Sequence, residues 1–269
     1  MLLSQLRQQP HLSISSINSW IDCGLMYKFG KIDKIPIESK ADALEFGTVI
    51  HIVLGEYYEE KMIGNKMTLR DVHQSFEEHW HRVAEGRTDI KYAKGKDFET
   101  LLMEGKDLLT AWYMKLPDDN FEILGIEEAF SFHIPGIEIP LIGAMDLVEE
   151  DEGIIIITDF KTSGKAYSVS EIDQNQQLTL YQIAARSMNG YTDKEILLRI
   201  DCLIKTQKPK FEQYYTVRTE IDEIRLIRKI KQVWDGISKR VFVPNDTSWK
   251  CKGCFYKTAC NNWFLKEAA

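Results

Sequence analysis

The chain has 269 residues, enough for one large domain or two small ones, and its 44% hydrophobic and 28% charged content is that of a globular protein. A net charge of −7 argues against a nucleic-acid coat protein. Neither a membrane-length apolar run nor the apolar core of a signal peptide occurs, so a cytoplasmic chain with no membrane partner is expected. The charge is unevenly spread: from Arg199 to the end, fifteen Lys/Arg face eight Asp/Glu, a net of +7 on a remainder of −14. Such a segment suits either a local phosphate-binding surface or a Lys-rich solvated helix.

In chain order, Leu12-Ser-Ile-Ser15-Ser16 sets hydroxyl residues before a helical pattern running to Cys23, an N-cap signature and also a natural phosphate seat. Tyr27-Lys-Phe-Gly-Lys-Ile-Asp-Lys mixes aromatics with bases and reads either as surface or as a stretch that could stack or pair with nucleic acid. Residues 41–60 carry apolar positions at helical spacing, and His51 falls inside that run, where a lone histidine is ordinarily a satisfied core residue. Gly47, one turn earlier, would admit a close backbone. Helices over 67–85 and 97–116 turn Phe76, Trp80 and Val83, then Leu101, Leu102, Leu108 and Trp112 inward, with Pro117-Asp-Asp-Asn as the stop. His73, His79 and His81 are expected to be solvated. The period then changes: 121–132, 137–148 and 153–160 read as strands, 171–189 as a helix, 194–205 and 212–218 as strands, and 220–239 as a long helix. Helices, a β-meander, a crossover helix and further strands make an α+β order, a sandwich-like core beside an N-terminal helical lobe.

The chemistry concentrates where the meander turns. Gly143-Ala-Met-Asp146 and Thr158-Asp159-Phe160-Lys161 flank the polar Glu149-Glu-Asp-Glu-Gly153, so a hairpin would bring Asp146 and Asp159 to one end of the sheet. Strand alternation points Lys161 the same way as Asp159. Two carboxylates and an ammonium at one point suit a hard divalent ion acting on a phosphodiester, although taken alone such a motif more often reads as an edge hairpin with three solvated charges. On the crossover helix Gln177 and Tyr181 lie four apart and share a face.

Of five cysteines, Cys251, Cys254 and Cys260 form a Cys-x2-Cys-x5-Cys tail able to reach one metal centre. Cys23 is the candidate fourth ligand, since Cys202 lies in an apolar strand pattern. The spacing alone leaves structural zinc and an iron–sulfur cluster both open.

Taken together, a helix with Phe46-Gly-Thr-Val-Ile-His51, a strand with Asp146, an Asp159-x-Lys161 strand and a Gln177-x-x-x-Tyr181 helix, bracketed by one cysteine before and three after, resemble the RecB-like branch of the PD-(D/E)XK nuclease superfamily. The likeness covers about residues 12–260 and is to the iron–sulfur subgroup: CRISPR-associated RecB-like exonucleases, AddB-type nuclease domains and the nuclease part of the Dna-two helicase–nuclease. It implies a restriction-endonuclease-like mixed sheet flanked by helices, in one nuclease domain over 1–269. A lobe over about 41–118, a catalytic core over about 121–240 and a staple of Cys23 with 251–260 would make up that domain. It further implies magnesium or manganese held by His51, Asp146, Asp159 and the Phe160 carbonyl, with Lys161 on the attacking water and the scissile phosphate. Gln177 and Tyr181 would support the site, Glu127 or Glu128 would be a further acidic member, and Cys23, Cys251, Cys254 and Cys260 would bind a [4Fe–4S] cluster. The expected activity is that of a DNA exonuclease on single strands or duplex ends, in recombination, repair, phage replication or CRISPR adaptation, with a helicase, recombinase or CRISPR integrase as the class of partner. The alternatives are a DNA-end-binding accessory protein and a site-specific endonuclease. Two departures stand out. Gly24 takes the place of the proline that often follows the first cysteine, which should change only the local turn. There is also no Gly-x4-Gly-Lys-Ser/Thr sequence, so unwinding would come from a partner.

Overall fold

The computed structural model describes all residues except Met1, Glu38, Asp118, Asn189, Ala268 and Ala269, and only the backbone of residues 266–267. The expected 117–120 stop and the 189 end of the crossover helix therefore lie partly outside the described residues. In chain order the main elements are α1 (Ile14–Asp22), α2 (Asp42–Met62), α3 (Leu69–Ala84), α4 (Phe98–Tyr113), β1 (Glu122–Phe132), β2 (Leu141–Asp151), β3 (Ile154–Ser163), α5 (Val169–Asp173), α6 (Gln176–Ser187), β4 (Glu195–Ile204), β5 (Lys210–Thr216), α7 (Glu220–Ser238) and α8 (Lys257–Glu267). They fall into two compact units, one of Lys40–Phe130 and Ala144–Thr219, the other of Met1–Ser39, Ser131–Gly143 and Glu220–Ala269.

The five strands form one mixed sheet in sequence order, with β2–β3 and β4–β5 antiparallel and β3–β4 parallel. Helices flank it, the mixed α+β architecture expected from the sequence. Only two residues, Glu152 (φ 48°) and Gly153 (φ 91°), join β2 to β3. Both are left-handed, and that turn has the twist of the strands it joins. The parallel β3–β4 step needs a crossover, which α5 and α6 supply. The single helix expected over 171–189 is broken here. Asn175 caps α6 by accepting the Leu178 N–H at 3.1 Å, and the Arg218 guanidinium donates to the Ile172 carbonyl at 2.8 Å. A good cap and a competing cation end one helix and start the next.

Alternation along β3 assigns its two faces. Phe160 points toward α2, where Tyr58 stacks on it at 5.8 Å, whereas Asp159 points toward Tyr181 of α6. On the Phe160 side Phe46, Phe76, Trp80, Leu108 and Trp112 pack with Leu147 and Leu203 as one core. Each such side chain contributes about 1.5–3 kcal/mol by leaving water. Under this lobe Arg199 lies 2.7 Å from Glu149 and 2.9 Å from Asp201, all three at most 1% exposed. Two of the three lobe histidines are tied down rather than solvated, His73 to Thr110 (2.8 Å) and His79 to Glu56 (2.6 Å), while His81 pairs with Glu85 (3.0 Å) on the exposed side of its helix. A Cβ on Gly47 would meet only the Thr162 hydroxyl at 3.7 Å, so that glycine serves no close backbone approach.

In the other unit the Ser13 hydroxyl accepts the Ser16 N–H at 3.3 Å while Ser16 donates back to the Ser13 carbonyl at 2.8 Å, so the cap occupies both hydroxyls. Tyr27 and Phe29 are buried, not surface, and pack on Phe242 and Tyr256 at 6.2 and 6.0 Å. Gly24 does more than adjust a turn: a Cβ there would stand 2.8 Å from the Val243 nitrogen. Only glycine lets the two segments close.

Candidate active site

Four elements of the larger unit bring His51 (α2), Glu127 (β1), Asp146 (β2) and Asp159 with Lys161 (β3) to one place. The His51 ring meets Phe160 edge-on at 5.9 Å, which aims its Nδ1 at Asp146 Oδ2, 3.5 Å away. Burial and then the Lys161 charge lower the His51 pKa against the opposing pulls of Asp159 and the Phe160 backbone. The imidazole is therefore neutral, the form that ligates a metal.

Asp146 is buried and accepts the Phe160 N–H at 2.7 Å. The β2–β3 ladder ends at the Leu147–Thr158 pair, next to Asp146 and Asp159. Burial first, and then the Asp159 charge, push the Asp146 carboxyl well above the usual range. Asp159 is 1% exposed; one of its oxygens accepts from Lys161 at 2.7 Å and from the Tyr181 hydroxyl at 3.5 Å. Its other oxygen is buried without a hydrogen-bond partner among the described residues. Burial alone would lower the Lys161 pKa, but Asp159 and Asp146 hold it above the ordinary value. Lys161 is an ammonium and supplies charge rather than a base.

On α6 Gln177 hydrogen-bonds Tyr181, and burial followed by the two aspartates raises the Tyr181 pKa well above 10.0, which keeps its hydroxyl a donor to Asp159. The donor atoms of His51, Glu127 and Asp146 all lie within 4.8 Å of one another. Between the two glutamates named from the sequence, this selects Glu127; Glu128 turns back over Gly125, where an added Cβ would lie 2.7 Å from its Oε2. Glu127 itself sits at φ 48° within a strand, the strained backbone that re-aims a side chain at functional sites. Of the expected side-chain ligands, Asp159 is the one outside this triad, held instead by Lys161.

These residues fit a hard divalent cation. An imidazole and two carboxylates converge, a third carboxylate nearby carries an orphaned buried oxygen, and burial followed by repulsion from Asp159 raises the Asp146 pKa despite the opposing Lys161 charge.

In the smaller unit Cys23, Cys251, Cys254 and Cys260 line a cavity of about 470 Å³ with Leu25 and Phe29. Burial and then the charges of Cys23, Cys254 and Cys251 raise the Cys260 pKa. Asn245 ties the chain's two ends here, donating from its side chain to the Asp22 carbonyl at 2.9 Å and from its backbone toward Cys23 Sγ at 3.4 Å. Among the described residues, no three of these sulfurs gather within 4.8 Å. A single tetrahedral zinc holds thiolates about 3.8 Å apart, given a Zn–S bond of about 2.3 Å. The four cysteines and the mainly apolar lining are compatible with either a structural zinc or an iron–sulfur cluster. Cys202 is fully buried in β4 of the other unit, where burial pushes its thiol up to about 12.

Comparison with known proteins matches residues 11–261 to the family model described as the PD-(D/E)XK nuclease superfamily. Gene 69 protein of Mycobacterium phage D29 is 23% identical over 270 residues, covering 93% of this chain and 96% of its own. Among solved structures, a protein from Eubacterium rectale described as a "Putative exonuclease" superposes with a TM-score of 0.53 at 13% identity, covering 90% of this chain and 87% of that one. That likeness is one of fold.

Proposed function

The chain belongs to the PD-(D/E)XK nuclease superfamily, and from that premise we propose that it is a divalent-metal-dependent DNA exonuclease of the RecB-like iron–sulfur branch, acting on single strands or duplex ends. One observation carries this reading: His51, Glu127 and Asp146 converge within 4.8 Å, beside the Asp159–Lys161 pair at 2.7 Å. Magnesium or manganese, when bound, would polarise the scissile phosphate and lower the pKa of an attacking water. The residues that would hold the ion are His51, Glu127, Asp146 and the free oxygen of Asp159, with the Phe160 carbonyl alongside. Phe160 N–H fixes the Asp146 carboxylate, and the neutral His51 adds no charge to repel the ion. Lys161, kept cationic by its neighbours, sits where negative charge grows on the phosphate oxygens as the bond breaks. Tyr181, oriented by Gln177, holds Asp159 in place. The cysteine cavity is read as a [4Fe–4S] site with a structural role, held by Cys23, Cys251, Cys254 and Cys260. Recombination, repair, phage replication and CRISPR adaptation all supply DNA ends as substrate, and any helicase or recombinase would act in partnership.

The test is Mn²⁺- or Mg²⁺-dependent release of label from end-labelled single-stranded DNA. The wild type is expected to digest it, and Lys161→Ala to be slower by roughly 10²–10³-fold while still folding and binding DNA. A Lys161→Ala variant as fast as the wild type would remove the site.

A further inference from the structure

Beside Lys161, on the same face of the sheet, the chain builds a ledge from two tyrosines that the chemistry above does not use. The strand register fixes its position. Asp159 pairs with Ile200 and Ile200 with Tyr214, while Lys161 pairs with Cys202 and Cys202 with Glu212. Directly paired residues share a face, so Tyr214 and Glu212 of the outermost strand lie on the side of Asp159 and Lys161, two strands away. Tyr167, in the link from β3 to α5, stands over them, its ring 6.0 Å from that of Tyr214 at 77°.

The hydroxyl of Tyr214 is already used twice, donating to Glu212 and accepting the Tyr167 N–H at 3.2 Å. What this residue has left to offer is its ring. Tyr167 is anchored on both sides, through that backbone bond and through Ser168, which caps α5 in a reciprocal box with Glu171. Its ring is half-buried, yet Gly164, Lys165 and Ala166 just before it are exposed, so one flank of the ledge is open. Burial raises the pKa of the phenol, and the charges of Cys202, Lys161 and Asp159 act on it in turn. An anchored aromatic face beside a phosphate-handling cation is the arrangement in which a nucleobase stacks while its phosphate is held.

We propose that Tyr167, backed by Tyr214, forms a nucleobase subsite, where the base of a nucleotide adjoining the scissile phosphate stacks and sets the register of the strand. The proposal rests on the nuclease reading and deepens it. Every base has a π-face, so this subsite tolerates any sequence but detects a missing base.

The experiment uses single-stranded DNA carrying one abasic nucleotide, moved along the strand position by position, and reads digestion by the full-length protein in Mn²⁺. The wild type is expected to slow at one offset from the abasic site. Tyr167→Phe should keep that pause, since the ring suffices. Tyr167→Ala should raise KM on intact DNA by roughly 5- to 150-fold, with kcat little changed, and should lose the pause. Tyr167→Leu, which keeps apolar bulk without the π-face, should lose it too and guards against a folding defect. An unchanged KM, or a fall in kcat equal on intact and abasic strands, would overturn the subsite and make Tyr167 a positioning residue for Lys161. If the wild type digests neither strand, the nuclease reading fails, and affinity for the same DNAs in Ca²⁺ decides the subsite separately. Discrimination lost in Tyr167→Ala supports it, and equal affinities in wild type and variant refute it.

Discussion

Asp146 concentrates the cost of this site, because it is buried, faces Asp159 and has only Lys161 and one N–H to offset the repulsion. Its folded-state pKa lies above the value of 3.8 that the unfolded chain would have. The metal-free fold therefore holds a proton that the unfolded chain has released, and loses stability as pH rises from about 3.8 through the raised folded value. Asp146→Asn keeps an acceptor for the Phe160 N–H but removes the charge. Thermal melts without metal should fall less steeply with pH for Asp146→Asn than for the wild type, and Mn²⁺ should stabilise only the wild type; parallel profiles would contradict this account. At this scale the sequence was readable where strand alternation governs, as for Asp159 and Lys161. It left Glu127 and Glu128 both open, because the left-handed backbone that brings Glu127 to His51 and Asp146 leaves no mark in residue type. Glu127→Gln should raise the Mn²⁺ concentration needed for half-maximal activity, and an unshifted midpoint would exclude Glu127 from the ion.

Elements were legible to the extent that they are set locally. Glu152-Gly153 specifies its own hairpin, and the inward residues of α3 and α4 follow their period. What escaped is set by partners distant in the chain. Arg218 helps break the crossover helix from more than forty residues away. Arg199, within what reads as an apolar strand, is buried because Glu149 and Asp201 come with it, and together they raise its pKa against the opposing effect of burial. The Arg199→Ala variant would leave two carboxylates buried without their cation and should lose about 3–5 kcal/mol in urea unfolding. A variant as stable as the wild type would show that the cluster is solvated or protonated.

At the scale of the molecule, the basic tail seen in the sequence does not map onto a simple N-to-C division. The unit that holds the cysteines gathers fourteen Lys/Arg against ten Asp/Glu, a net of +4, and the unit that holds the carboxylates carries −11. The cysteine unit is assembled from three separate stretches of chain, with Cys23 in the first and the other three cysteines in the last. A cluster bound there would tie the ends together, so Cys254→Ser should lose iron and lower the melting temperature, while Cys202→Ser, fully buried in the other unit, should keep its iron. Iron analysis and a melt of each variant, purified anaerobically, check both outcomes.

The most direct measurement compares linear and covalently closed circular single-stranded DNA, each incubated with the protein in Mn²⁺, in Mg²⁺ and in EDTA. Metal-dependent digestion of the linear strand from its end, with the circle left intact and EDTA abolishing the reaction, is the predicted result. A circle cut as fast as the linear strand, or both strands intact with either metal, would contradict the exonuclease assignment.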